Sequence, residues 1–123
     1  MLSTVQVMWL HEPEEQDYPA AQSFLCLLYD EQTAATYVEK LKRAPMSEFK
    51  AKDIFRASGL SLLGISNTHV EKDRHKIQSG HQLSPLLLIR DSANGRVIVA
   101  DGYHRLCAVY SYEEDVLIPC KIA

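Results

Sequence analysis

The chain is poor in the residues that cross-link or punctuate small folds. Its 123 residues hold only three cysteines, five glycines and five prolines. Cys26, Cys107 and Cys120 are an odd set at wide spacing, which argues against a disulfide framework. No closely spaced Cys or His pair is present, so a structural zinc site is not expected; the only ligand set that can be drawn is His104, Cys107 and Cys120. No apolar run reaches membrane-spanning length and no signal-peptide pattern opens the chain, so the expectation is a cytoplasmic protein with no membrane partner. Neither sign of charge dominates. A formal net charge of −3 gives no electrostatic footprint for nucleic acid. Repeats and low-complexity segments are absent as well, and the length suits one domain with a real core.

What is present divides near residue 58. The first part reads as mainly helical. Val5 to Leu10 has the character of a strand, and His11 to Glu15 is a Pro-broken polar loop that begins like a metalloprotease H-E-x-x-H motif but lacks its second His. A helix starts at Asp17-Tyr18-Pro19, with Ala21, Phe24, Leu25 and Leu28 on one face and Cys26 in its core side. Asp30 caps a second helix over Glu31 to Arg43, whose apolar face is Ala34, Val38 and Leu41. The short link makes the two an antiparallel pair. Ser47 caps a third helix over Glu48 to Ser58, with Ala51, Ile54, Phe55 and Ser58 inward and Gly59 as C-cap. Its Lys50, Lys52 and Arg56 read as a solvated face, although Lys52 gains interest if the helix borders an anion site.

Residues 59 to 123 carry the sheet. Leu60 to Ser66 has the character of a short strand, and Thr68 with Glu71 has capping-box spacing for a helix from His69 that ends at Gly80. Ser84 to Arg90 and Arg96 to Ala100 flank an Asn-Gly turn, so antiparallel neighbours are expected. The continuous run Leu86 to Ile89 calls for cover on both faces. Val116 to Ile122 is a last strand.

The most informative stretch is V-I-V-A-D-G-Y-H-R-L-C-A, residues 97 to 108. A β-branched run stops at Asp101-Gly102, and His104-Arg105 opens an amphipathic helix. A helix N-terminus offers unpaired N–H groups and partial positive charge, and Arg105 adds a planar donor fork suited to carboxylate or phosphate. This is the pattern of an anion site, phosphate first among ligands. The same residues also allow a plain structural role: Asp101 caps the helix, Gly102 permits the turn, and Arg105 sits in solvent paired with Glu113 or Asp115. Of the five histidines only His104 stands in a functional context, where its imidazole can donate to phosphate and make binding pH-dependent. His69, His75 and His81 are six apart and do not share a helical face.

D-G-Y-H-R-L-C-A, preceded by R-V-I-V-A and followed by V-L-I-P-C-K-I, resembles the G-x-H-R segment of the ParB/sulfiredoxin-like superfamily. S-P-L-L-L-I-R upstream resembles a second strand of that family. The resemblance covers about Leu60 to Ile122. It implies a nucleotide-binding α+β fold in which Gly102, His104 and Arg105 touch phosphate oxygens and Asp101 caps or orients the turn. By the same resemblance Lys72, Lys76 and Ser79, on the preceding helix, are secondary candidates. The chain departs from sulfiredoxin at Tyr103, which stands where the reactive cysteine would be, and Cys107 is a poor substitute. ParB-type helical DNA-binding segments have no counterpart. A kinase-like activity would need an acid, for which Glu71 has only its neighbourhood and Asp101 its position.

The sequence therefore predicts an α+β domain, with a small mixed sheet, a ParB/sulfiredoxin-like core from residue 59 and a helical N-terminal layer. The expected function is binding of a nucleotide, ATP or CTP with Mg²⁺, or another small phosphorylated ligand, at Asp101, Gly102, Tyr103, His104 and Arg105, with phosphoryl transfer or nucleotide hydrolysis as a further step. Tyr103 either stacks on a base or belongs to the core. The alternative is a non-enzymatic interaction or regulatory module whose N-terminal helices bind a protein partner or a second copy. Direct DNA recognition is disfavoured by the charge.

Overall fold

A computed structural model describes residues 6–64 and 66–123. The chain is an α+β fold in three layers, built on a mixed four-stranded sheet. In chain order the elements are β1 (Met8–Trp9), α1 (Asp17–Leu25), α2 (Glu31–Arg43), β2 (Ser47–Lys50), α3 (Ala51–Ser58), α4 (Thr68–Gln78), β3 (Gln82–Leu83), β4 (Leu86–Asp91), β5 (Arg96–Asp101), α5 (Tyr103–Tyr112) and β6 (Leu117–Ile122). The main sheet runs β2-β6-β4-β5, with β4 and β6 parallel and the other neighbours antiparallel. β1 and β3 form a separate two-residue parallel pair.

The continuous apolar run in β4 has the cover it requires. Leu86 and Leu88 join Val99, Ile54, Leu106 and Ile118 in the core beneath α3, α4 and α5. Leu87 and Ile89 join Ile98 and Ala100 in a second core with Tyr18, Ala21 and Leu25 of α1 and Ala34, Val38 and Leu41 of α2. Alternate side chains of one strand thus feed two cores, because successive residues point to opposite faces. The β4–β5 hairpin pairs as its Asn-Gly turn implies, through a 3₁₀ turn at Ser92–Asn94. Lys121 of β6 is buried. Its ammonium donates to the Lys42 carbonyl at 3.0 Å, near the end of α2, and lies 3.3 Å from Glu12. A cation there suits the negative end of the helix.

Four expectations change. Residues 47–50 are a strand, not the start of a helix: Ser47 to Lys50 hydrogen-bond along β6, and the N–H groups of Ala51 and Lys52 donate to Val116 and Glu114. The free side of β6 outweighs the local helix preference of E-F-K-A-K. Leu60 to Gly64 forms no strand, and the remaining Ile65 lies outside the described residues. Of the first expected strand only Met8–Trp9 pairs, and Val5 also lies outside them. α1 ends at Leu25, so Cys26, Phe24 and Leu28 are exposed rather than core.

Candidate functional site

The site begins with a glycine that nothing else could replace. β5 ends at Asp101, and Gly102 follows with φ 108° and ψ 15°, a conformation that strains L side chains. A Cβ there would also lie 2.7 Å from Leu86 Cγ and 3.0 Å from Arg105 Nη2. The close approach at this glycine is therefore made to the Leu86 and Arg105 side chains. With the chain reversed so tightly, α5 starts directly at Tyr103.

Asp101 does not cap this helix. Gly102 is the N-cap, no side chain caps α5, and the Asp101 carboxylate accepts from Arg105 Nη2 at 3.0 Å. Arg105 in turn is not in solvent and touches neither Glu113 nor Asp115. Its Nε donates to the Ser84 carbonyl at 2.9 Å and its Nη2 to the Pro85 carbonyl at 3.4 Å. The Asp17 carboxylate stands 3.7 Å from Nη2 and accepts the Ser84 hydroxyl, which itself accepts the Glu14 N–H at 3.0 Å. One guanidinium thus ties α5, the entry to β4 and the start of α1 together. Nη1 has no hydrogen bond among the described residues, and no buried side-chain N or O among them lacks a partner, so Nη1 remains accessible.

Beside this clamp lies an open polar cavity of ≈ 210 Å³ between α4 and α5. The five residues Asp101 to Arg105 form one wall. The other is made by His69, Lys72, Asp73 and Lys76, which fall at i, i+3, i+4 and i+7 on one stripe of α4. Val70 and Ile77 hold the helix down from its buried face. The His69 and His104 rings meet with centroids 4.8 Å apart. The Tyr103 hydroxyl donates to the Ser61 carbonyl, and its ring packs at the margin of the core, so it lines the cavity as a fixed side chain.

The backbone of α5 sets it apart. α2 and α4 have side-chain caps, Asp30 to Thr33 N and Asn67 to His69 N and Val70 N. In α1 and α3 the first N–H groups donate to backbone carbonyls. Only in α5 does no first-turn N–H, from Tyr103 to Arg105, have a partner among the described residues. These donors open beside a cavity rimmed by Lys72 and Lys76, neither of which forms an ion pair among those residues.

Burial sets the charge states. It pushes the Asp73 carboxyl above the usual carboxylate range against the pull of Lys76, Arg105 and His104. The same cause raises Asp101 despite Arg105. His104 is held below the ordinary histidine value, first by burial and then by His69, so near neutral pH its imidazole is uncharged. Burial also raises the Cys107 thiol and pushes Cys120 up to about 12, which leaves neither as a ready thiolate. Among the described residues no three His, Cys, Asp or Glu side chains converge on a metal position, and His104, Cys107 and Cys120 do not come together. A Mg²⁺ carried in on phosphate oxygens needs only one or two carboxylates. Asp73, free of an ion pair, fits that need better than Asp101.

The structure brings all five residues of the turn together with Lys72 and Lys76. Ser79 ends α4 and does not line the cavity, Glu71 faces His75 at 3.7 Å, and Lys52 pairs with Asp115 at 2.7 Å. His69, Asp73, Asp17 and Ser84 were not foreseen. For the first two the signal is in the sequence, since four polar residues share a stripe beside the buried face of Val70 and Ile77. Asp17 and Ser84 carry no such sign, being joined to Arg105 only by tertiary packing. Comparison of the chain with protein-family models, with curated proteins and with solved structures gives no match.

Proposed function

We propose that the chain binds a phosphate-bearing ligand, a nucleotide or a small phosphorylated metabolite, in the cavity between α4 and α5. The carrying observation is the uncapped first turn of α5 beside two unpaired lysines. Backbone N–H groups at a helix start are aimed at an anion and gain from the helix dipole. Lys72 and Lys76 add charge as mobile point donors. Arg105 serves mainly as the clamp that holds the turn, with Nη1 left to meet the ligand. With ATP or CTP, Mg²⁺ would offset charge on the phosphate oxygens. In this reading Asp73 would hold it, and neutral His104 would accept a proton from an attacking hydroxyl or water.

Calorimetry with inorganic phosphate, ADP, ATP and CTP, the nucleotides with Mg²⁺, tests this reading. Lys72→Ala and Lys76→Ala should each weaken binding about tenfold while the far-UV circular dichroism stays unchanged. Wild-type protein that binds none of the four sinks the proposal. A second reading, the interaction module, draws on Phe24, Leu27 and Leu28, which stand exposed at the end of α1.

A further inference from the structure

The two edges of the main sheet are built differently. β2, at one edge, is a four-residue strand that carries Glu48 and Lys50. Charge and shortness are how natural sheets blunt an edge. β5, at the other edge, is V-I-V-A between Arg96 and Asp101, with no proline and no internal charge. Its backbone bonds to β4 alone; no other backbone hydrogen bond reaches residues 96–101 among the described residues. A shallow cavity of ≈ 130 Å³ runs beside Arg96 to Val99. Phe24 and Leu28, at and just after the end of α1, wall it on the Ile98 face, and Leu60, after α3, walls it on the Val97 and Val99 face. Phe24 is 40% exposed, Leu28 46% and Leu60 42%, and Leu27 beside them reaches 81%.

We infer that β5 pairs antiparallel with β5 of a second copy about a two-fold axis normal to the sheet, joining the two four-stranded sheets into one. This gives the interaction reading a defined surface and is independent of the anion site. Unpaired strand edges call for another strand, and three features select a second copy. The axis keeps each layer beside its own counterpart. Phe24 and Leu28 then face the partner's Phe24 and the partner's Leu28, and Leu60 faces the partner's Leu60. A lone peptide strand has no helical layers to cover Leu27. The antiparallel arrangement also puts the two Arg96 side chains, each paired with its own Asp91 at 2.8 Å, at opposite ends of the seam. Pairing of β5 with β5 closes after two copies, whereas β5 on β2 would continue without end and would meet the charged edge.

Sedimentation of the full chain from micromolar to near-millimolar concentration should give twice the 13.9 kDa chain mass at the upper end. Leu28→Arg with Leu60→Arg, both at exposed positions, should raise the dissociation constant about a hundredfold. Hydrogen exchange of the wild type should show residues 96–101 gaining protection as concentration rises, which gives a readout that needs no variant. A wild type that stays monomeric throughout overturns the strand pairing and leaves the interaction reading only a different protein as partner. A dimer that survives both substitutions, or that leaves the β5 amides unprotected, overturns the strand pairing alone.

Discussion

α4 and α5 border one cavity, pack on each other and begin in opposite ways. α4 opens with Asn67, whose side chain accepts from two of its N–H groups. Its contribution to the cavity is made by side chains, from His69 in the first turn to Lys76 two turns on. α5 opens with Gly102, has no side-chain cap, and presents backbone at the cavity. The first helix is finished by the protein itself. The second leaves its first N–H groups open beside the cavity. A glycine in place of a capping side chain leaves donors open, and the cost of leaving them so is met by Arg105, which secures the turn from behind.

The start of α5 is most sensitive at Gly102. Gly102→Ala combines positive φ with a contact on Leu86 too close for a real Cβ, and should cost about 3–5 kcal/mol in urea unfolding. Arg105→Ala leaves the Asp101 and Asp17 carboxylates without their cation and two carbonyls without a donor; a loss of about 2–4 kcal/mol is expected in the same assay. For that reason the lysine variants are cleaner tests of binding than Arg105→Ala. Asn67→Ala removes the cap that α5 does without. It should cost about 1 kcal/mol and leave phosphate affinity within twofold.

Two smaller effects sharpen the electrostatic side. Asp73→Asn removes a carboxylate that lines the cavity, and under the proposed function calorimetry should show inorganic phosphate binding several-fold more tightly. The pH dependence of His104 has a defined sign. Its folded value lies below 6.5, so as pH falls the unfolded chain takes the proton first. Stability is full above about 6.5 and is lost as pH falls through the lowered folded value. A bound anion favours the protonated ring, so the loss should shrink with phosphate present, and thermal melts of His104→Gln should lack both effects.

The fold was legible where pattern and punctuation agreed. Asp30 with Ala34, Val38 and Leu41 defines α2 to the residue, and the Asn-Gly turn between apolar runs defines the β4–β5 hairpin. β2 was not legible, because S-E-F-K has no strand pattern of its own and is held extended by the open side of β6. At the site, the Asp-Gly-Tyr-His-Arg turn was visible as a unit, but the roles within it were not. Asp101 reads as a cap from position alone. Its actual partner, Arg105, is fixed by carbonyls at Ser84 and Pro85 that no local pattern announces.

β6 is the latest strand in chain order and sits between β2 and β4, so that Ser47 meets Cys120 and Leu86 also meets Cys120. This makes assembly of the sheet late and all at once. Until Leu117–Ile122 has emerged, β2 has nothing to pair with and the end of α2 lacks Lys121. A nascent chain can preform the β4–β5 hairpin and α2, but its remaining apolar surface must wait for those six residues. Refolding should accordingly be slow for a chain of this size, governed by contacts between distant segments.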